Sequence, residues 1–189
     1  MDKRDINEYA DKTYEQVSSW INNCDSKASI QLALIGVFLP IAFTSDFLLN
    51  GIAAELKSIV GIFSGNCTFR AWGSVLLILL LSASIFYFVK SIHSLFVVLF
   101  ARLEDSRKEE SPSVSFYKSI GEHSYEEYKQ IVGDISVEQL TDDKLRQVHD
   151  CSKICTQKFL NYNKGISATK LALAFFGLFV VMFLTINSL

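Results

Sequence analysis

The sequence predicts an all-α membrane protein, with three transmembrane helices and a cytoplasmic helical bundle, and three observations carry that prediction. Hydrophobic segments run from about Ala28 to Phe47, Trp72 to Val89 and Ala168 to Ile186. At about 1.5 Å of rise per residue, each is close to the length that crosses a hydrocarbon core of roughly 30 Å. The polar stretches beside them repeat apolar residues at helical spacing. The 189 residues are half hydrophobic and include two prolines, which leaves room for one helical unit rather than several globular domains. The expected divisions are a cytoplasmic amphipathic helix over 1–27, a transmembrane pair with a short outer loop and cytoplasmic extension over 28–101, a cytoplasmic helical insert over 102–166, and a third transmembrane helix over 167–189.

Along the first 27 residues, Ile6, Ala10, Thr13, Val17, Trp20 and Cys24 alternate spacings of four and three, the stripe of a helix that meets a partner helix. The six acids and four bases of this stretch precede any apolar run, the wrong order for a cleavable signal, so the first span reads as a retained anchor. The helix is expected to run straight into the membrane. Between the first two spans, Ile52 to Phe63 is mildly amphipathic and is expected at the membrane surface. The second span stays apolar beyond Val89 through Ile92, Leu95, Phe96, Leu99 and Phe100, longer than one bilayer, so its end is expected to emerge into the cytoplasm with Lys90 reaching the headgroups.

In the insert, Ser124 with Glu127 and Ser136 with Gln139 have the spacing of capping boxes, which satisfy free amides at a helix start. They predict two short helices. From Asp142 a further stripe of Leu145, Val148, Ser152, Cys155, Phe159 and Tyr162 leads without a proline into the third span, with Gly165 as its weak point.

Lys and Arg set the orientation. The loop between the first two spans has only Lys57 and Arg70, while the N-terminal stretch and the insert carry the remaining excess, so both large polar pieces are expected on the cytoplasmic side. That side is reducing, and it leaves Cys67 alone in the outer loop, so the four cysteines predict no disulfide framework. Cys151, Cys155 and a nearby His149 do not complete a tetrahedral metal site and read as helix packing. No phosphate loop, zinc-protease helix, nucleophile elbow or dinucleotide turn is present, which gives an enzyme no support, and twelve acids against ten bases in the insert argue against nucleic acid.

Arg146, Lys153, Gln157, Asn161 and Lys164 form a polar strip on the last cytoplasmic helix, suited either to a phosphorylated ligand or to plain solvation. Small residues Ala168, Ala172, Ala174 and Gly177 allow close helix contacts in the third span.

Three local patterns, in this order, resemble the Pycsar effector family of pyrimidine cyclic nucleotide antiphage defence. At the head of the first span stand Asp25, Ser26, Lys27 and Ala28, similar to the family's Asp-x-Lys-Ala. Phe116, Ile120, Ser124, Glu126, Glu127 and Tyr128 resemble its aromatic segment followed by Ser-x-Glu-Glu-Tyr, and Leu145, Gln147, Ser152, Ile154 and Lys158 resemble its Leu-x-Gln pattern with the Ser and Lys beyond. The chain departs at Lys118–Ser119, where the family commonly has Gly-Asp, and at Phe159, where it commonly has Tyr. The resemblance implies a bacterial inner-membrane effector that responds to a cyclic nucleotide from a partner cyclase and impairs membrane integrity, ending in abortive infection.

The expected partners are thus the lipid bilayer and the cyclic nucleotide as activating ligand, with no other cofactor. The alternative is a non-toxic scaffold that recruits a cytoplasmic partner through its amphipathic helices. Arg146, Lys153 and Lys158 are the candidate phosphate contacts, the first two by charge and position and the third by the resemblance. Lys158 is rotated by about 140° from Lys153 on a helix, so a site that uses all three needs a second helix or a second protomer, and a homo-oligomer is expected. Asp25 and Lys27, two residues apart, cannot face each other and are each expected to meet a neighbouring helix or, for Lys27, a lipid phosphate.

Overall fold

The computed structural model describes residues 3–63, 69–100, 114 and 117–188, all of whose regular elements are helices. In chain order they are α1 (Lys3–Phe43), α2 (Asp46–Phe63), α3 (Phe69–Leu99), α4 (Tyr117–Glu122), α5 (Tyr125–Asp134) and α6 (Val137–Ser188). Among the described residues, α1, α3 and α6 are long and apolar enough to cross a membrane. The chain is an all-α membrane protein. Its helices group into two compact units, a polar unit of Met1–Asp25 with Phe100–Phe159 and a span unit of Ser26–Leu99 with Leu160–Leu189.

Helix α1 buries Ala10, Val17, Cys24, Ala28 and Ile35, at steps of seven, seven, four and seven, one seam of a heptad pattern. Trp20, expected on that seam, is instead 49% exposed. A ring so large does not fit a stripe otherwise made of small and medium side chains. The helix stops at Phe43, short of the expected Phe47, where the amide and hydroxyl of Thr44 both donate to the Pro40 carbonyl, at 2.9 and 2.6 Å. Two residues later Ser45 accepts the amide of Leu49 and α2 begins.

Helix α2 turns one face inward. Gly51 lies directly under the Phe183 ring, Ile52 packs on a cluster of Leu77, Leu81, Phe179 and Phe183, and the buried Glu55 accepts the hydroxyl of Ser74. These contacts hold it against α3 and α6, where the sequence suggests a surface helix. Its opposite face exposes Leu49, Leu56 and Val60.

Helix α3 buries Ser74, Leu77, Leu81, Ser84, Phe88, Ser91, Leu95 and Val98, strictly alternating three and four, so a single seam runs its length. It continues unbroken past Val89 to Leu99, with Lys90 and His93 exposed. Two of its serines bond across to α6: Ser84 Oγ donates to the Ala172 carbonyl and Ser91 Oγ to the Gly165 carbonyl, each at 3.0 Å. Ser91 also shares a 2.7 Å hydroxyl contact with Thr169. Gly165 allows this approach, since a side chain there would meet Leu95. The expected weak point of α6 is therefore a packing residue inside a continuous helix. Ala168 and Ala172 are buried as close-contact residues, whereas Ala174 and Gly177 face outward, with open space around Gly177. Phe38 sits against both Phe88 and Phe176, with ring centres 5.8 and 5.5 Å apart.

The two capping boxes are present. Ser124 and Glu127 exchange bonds at the start of α5, with the Ser124 amide donating to Glu127 Oε2 at 2.8 Å. Ser136 and Gln139 do so at 3.0 and 3.2 Å. The second box does not open a short helix, however, but the 52-residue α6. A box fixes where a helix starts, and no glycine or proline between Gln139 and Asp142 stops this one. Helix α4 was not expected. It places Lys118 and Ser119 in ordinary helical backbone, which needs no glycine.

Candidate functional site

The polar unit joins α1 to α6 through two polar layers. In one, Lys144 Nζ lies 2.8 Å from Asp11 Oδ1 and donates to Asn7 Oδ1 at 3.2 Å. In the other, Lys158 Nζ contacts Asp25 Oδ1 at 2.6 Å. Asp11 and Asp25 stand fourteen residues apart, and so do Lys144 and Lys158. Equal steps in the same direction mean that α1 and α6 run parallel here in coiled-coil register, with an ion pair every second heptad.

The two layers differ in environment. Asp11 is half exposed, so its pair belongs to the class worth about 0–1 kcal/mol. Lys158 is only 8% exposed, and an ammonium so enclosed depends on its carboxylate, because removing one partner of a buried pair leaves a charge with no compensation. Cys155, one turn earlier on α6, and Cys24, next to Asp25 on α1, are both buried in the same unit.

The structure sorts the remaining candidate residues. Arg146 and Lys153 are exposed on α6, with Arg146 Nε bonded to Asp142 Oδ2 one turn back at 2.9 Å. They are thus separated from Lys158, which points inward. Gln157 and Lys164 are exposed and Asn161 is half-buried. Gln147 donates to Asp143 at 3.5 Å, and Ser152 Oγ donates to the Val148 carbonyl of its own helix at 2.7 Å. Lys27 is exposed, and Ala28 is fully buried. Tyr128 OH donates to the Val114 carbonyl at 3.2 Å, beside a groove of about 280 Å³ lined mainly by Val132, Ile135, Val137 and Leu140. Phe116 and Cys67 lie outside the described residues.

Glu127 closes the capping box at the start of α5. The backbone amide of Ser124, and then its hydroxyl, hold the Glu127 carboxyl below the usual glutamate range. A carboxyl lowered in the folded state contributes stability above the unfolded glutamate value and loses it as pH falls through the folded one. The start of α5 is therefore expected to fray only at strongly acid pH. Ser124→Ala should move the Glu127 carboxyl titration, followed by NMR, upward toward the ordinary value, and an unmoved titration would contradict the cap.

Sequence reasoning found Asp25 and Lys158 separately, through the resemblance, but nothing in the residues said that they meet. The Asn7–Asp11–Lys144 layer, the Glu55–Ser74 bond and the bonds of Ser84 and Ser91 were missed. The only signal for the serines was their seven-residue spacing on an apolar helix.

Helices of this kind, three of them long and apolar enough to cross a membrane, define an all-α membrane protein. Residues 9–186 match the model of the Pycsar effector protein domain, and the chain belongs to that family. It is 28% identical over 171 residues to the Pycsar effector protein GmPycTM of Gulbenkiania mobilis, covering 88% of this chain and 87% of the relative. No solved structure matches the chain significantly.

Proposed function

We propose that the chain is the membrane-acting effector of an antiphage response. A cyclic nucleotide made by a partner cyclase binds the polar unit on the cytoplasmic side of the bacterial inner membrane. The span unit then impairs membrane integrity and the infected cell stops supporting phage. The observation that carries this reading is the extent of the family match, whose residues 9–186 take in both units. A ligand shifts an arrangement only if it binds one state better than another, and the Asp25–Lys158 pair supplies a contact that two states can differ in. Lys158 would be the ligand's inward contact and Arg146 and Lys153 its outward ones, on two protomers of a homo-oligomer.

The test is a thermal-shift panel of cyclic mononucleotides and cyclic oligonucleotides on the detergent-solubilised chain, paired with membrane potential in cells supplied with the same compounds. A specific ligand raises apparent stability and should depolarise cells that carry the chain. A chain that binds none of them and leaves the potential intact is a scaffold. Within this reading, Arg146→Gln and Lys153→Gln are each expected to weaken nucleotide stabilisation by about 1.5–3 kcal/mol, the worth of a charged hydrogen bond. Wild-type thermal shifts in both variants would reduce the strip to a solvated face.

A further inference from the structure

The span unit keeps its acids at one end. Ser91 of α3 is bonded to Gly165 and Thr169 of α6, so the sequence neighbours of these three residues, Lys90, Lys164 and Lys170, stand at one level. Six residues separate Lys164 from Lys170, which makes the band about 9 Å tall. All three lysines are exposed, and none makes a hydrogen bond or ion pair among the described residues. The unit's sequence contains just two acids, Asp46 and Glu55. Glu55 bonds Ser74, which lies about 25 Å along α3 from Ser91. The band therefore has no counter-charge of its own.

Its surroundings say what supplies one. Next to the lysines the same helices expose Phe86, Val89, Leu171 and Leu173, between 45 and 63% accessible. A free phosphate or nucleotide matches the ammonium groups and leaves these side chains in water. A phospholipid presents a phosphate and, directly below it, acyl chains. Lys164 and Lys170 are about 120° apart around α6, so the lysines form a ring and not a pocket, each meeting a different lipid molecule.

We propose that Lys90, Lys164 and Lys170 are a basic collar that selects anionic phospholipid headgroups, so that the lipid shell of the spans is enriched in anionic lipid at this end. The collar depends on the spans lying in a bilayer and not on nucleotide sensing. The test uses the full chain in phosphatidylcholine vesicles without nucleotide, carrying trace spin-labelled phosphatidylglycerol or phosphatidylcholine. The motionally restricted fraction of each label then gives their relative association with the protein. Phosphatidylglycerol is expected to be preferred by about two- to fivefold, the scale set by one lysine at an anionic surface, and the preference should shrink in high salt. The triple variant K90Q/K164Q/K170Q should lose most of the preference, leaving at most the share of the exposed Lys27, the triple arginine variant should keep it, and Lys57→Gln, an exposed lysine on α2, should leave it unchanged. Circular dichroism confirms helicity in each, and the single variants K90Q and K170Q, each expected to lose part of the preference, serve if the triple one does not fold. Equal association of both lipids with the wild-type chain, or full preference in the glutamine variants, would overturn the collar.

Discussion

Asp25→Lys is expected to lower the unfolding stability of the detergent-solubilised chain by about 3 kcal/mol, toward the low end of what broken buried pairs cost. The low end applies because Asp25 is one-third exposed while Lys158 is nearly enclosed, so water relieves part of the repulsion between the two ammonium groups. Lys158→Asp should cost a similar amount from the other side. Combining them as D25K/K158D restores opposite charges and should recover a measurable part of the loss, which two independent effects would not do. Membrane insertion, read from the membrane fraction of cells, should survive in all three, because the hydrophobic spans are untouched. Protection against phage should be lost in the single variants. Unchanged melting of D25K would mean that the pair does not hold α1 to α6.

Gly165→Val should be the more damaging change of the two glycines in α6, by about 1–3 kcal/mol of overpacking. A β-carbon at this position would stand 2.8 Å from Leu95 Cγ, where ordinary contacts begin near 3.4 Å, and would push α3 away from the carbonyl that Ser91 uses. Gly177→Val is the internal control, since nothing lies within 4 Å of a β-carbon there. Thermal unfolding should separate the two sharply. G165V/L95A should recover stability by giving the new methyl groups the room of the removed isobutyl, and a failure to recover would place the damage in the backbone and not in packing.

How far the sequence reveals this fold depends on whether a feature is local. Hydropathy located the second span within the helix that forms it, and the capping boxes placed two helix starts, because both signals are complete within a few residues. The end of a helix is less visible: the Ser136 box looked like a short helix because nothing in its own spacing says that α6 continues for 52 residues. Periodicity put Trp20 on the α1 seam without regard to its volume, which depends on the neighbouring helices. The meeting of Asp25 with Lys158 was invisible for a simpler reason. They are 133 residues apart, and the insert offers ten bases as partners for any one acid.

The serines of α3 also act along the seam between α3 and α6. Ser84 and Ser91 are seven residues apart, as are the carbonyl partners Gly165 and Ala172, on helices that run in opposite directions. A lengthwise slide of one helix along the other breaks both bonds at once and returns each hydroxyl to its own helix. The next position at which a serine again meets one of these carbonyls comes after a full heptad, when Ser84 reaches Gly165, about 10 Å away. A lengthwise slide along this seam is therefore opposed by two bonds that fail together, so the serines fix the register of α3 against α6 as well as holding them side by side.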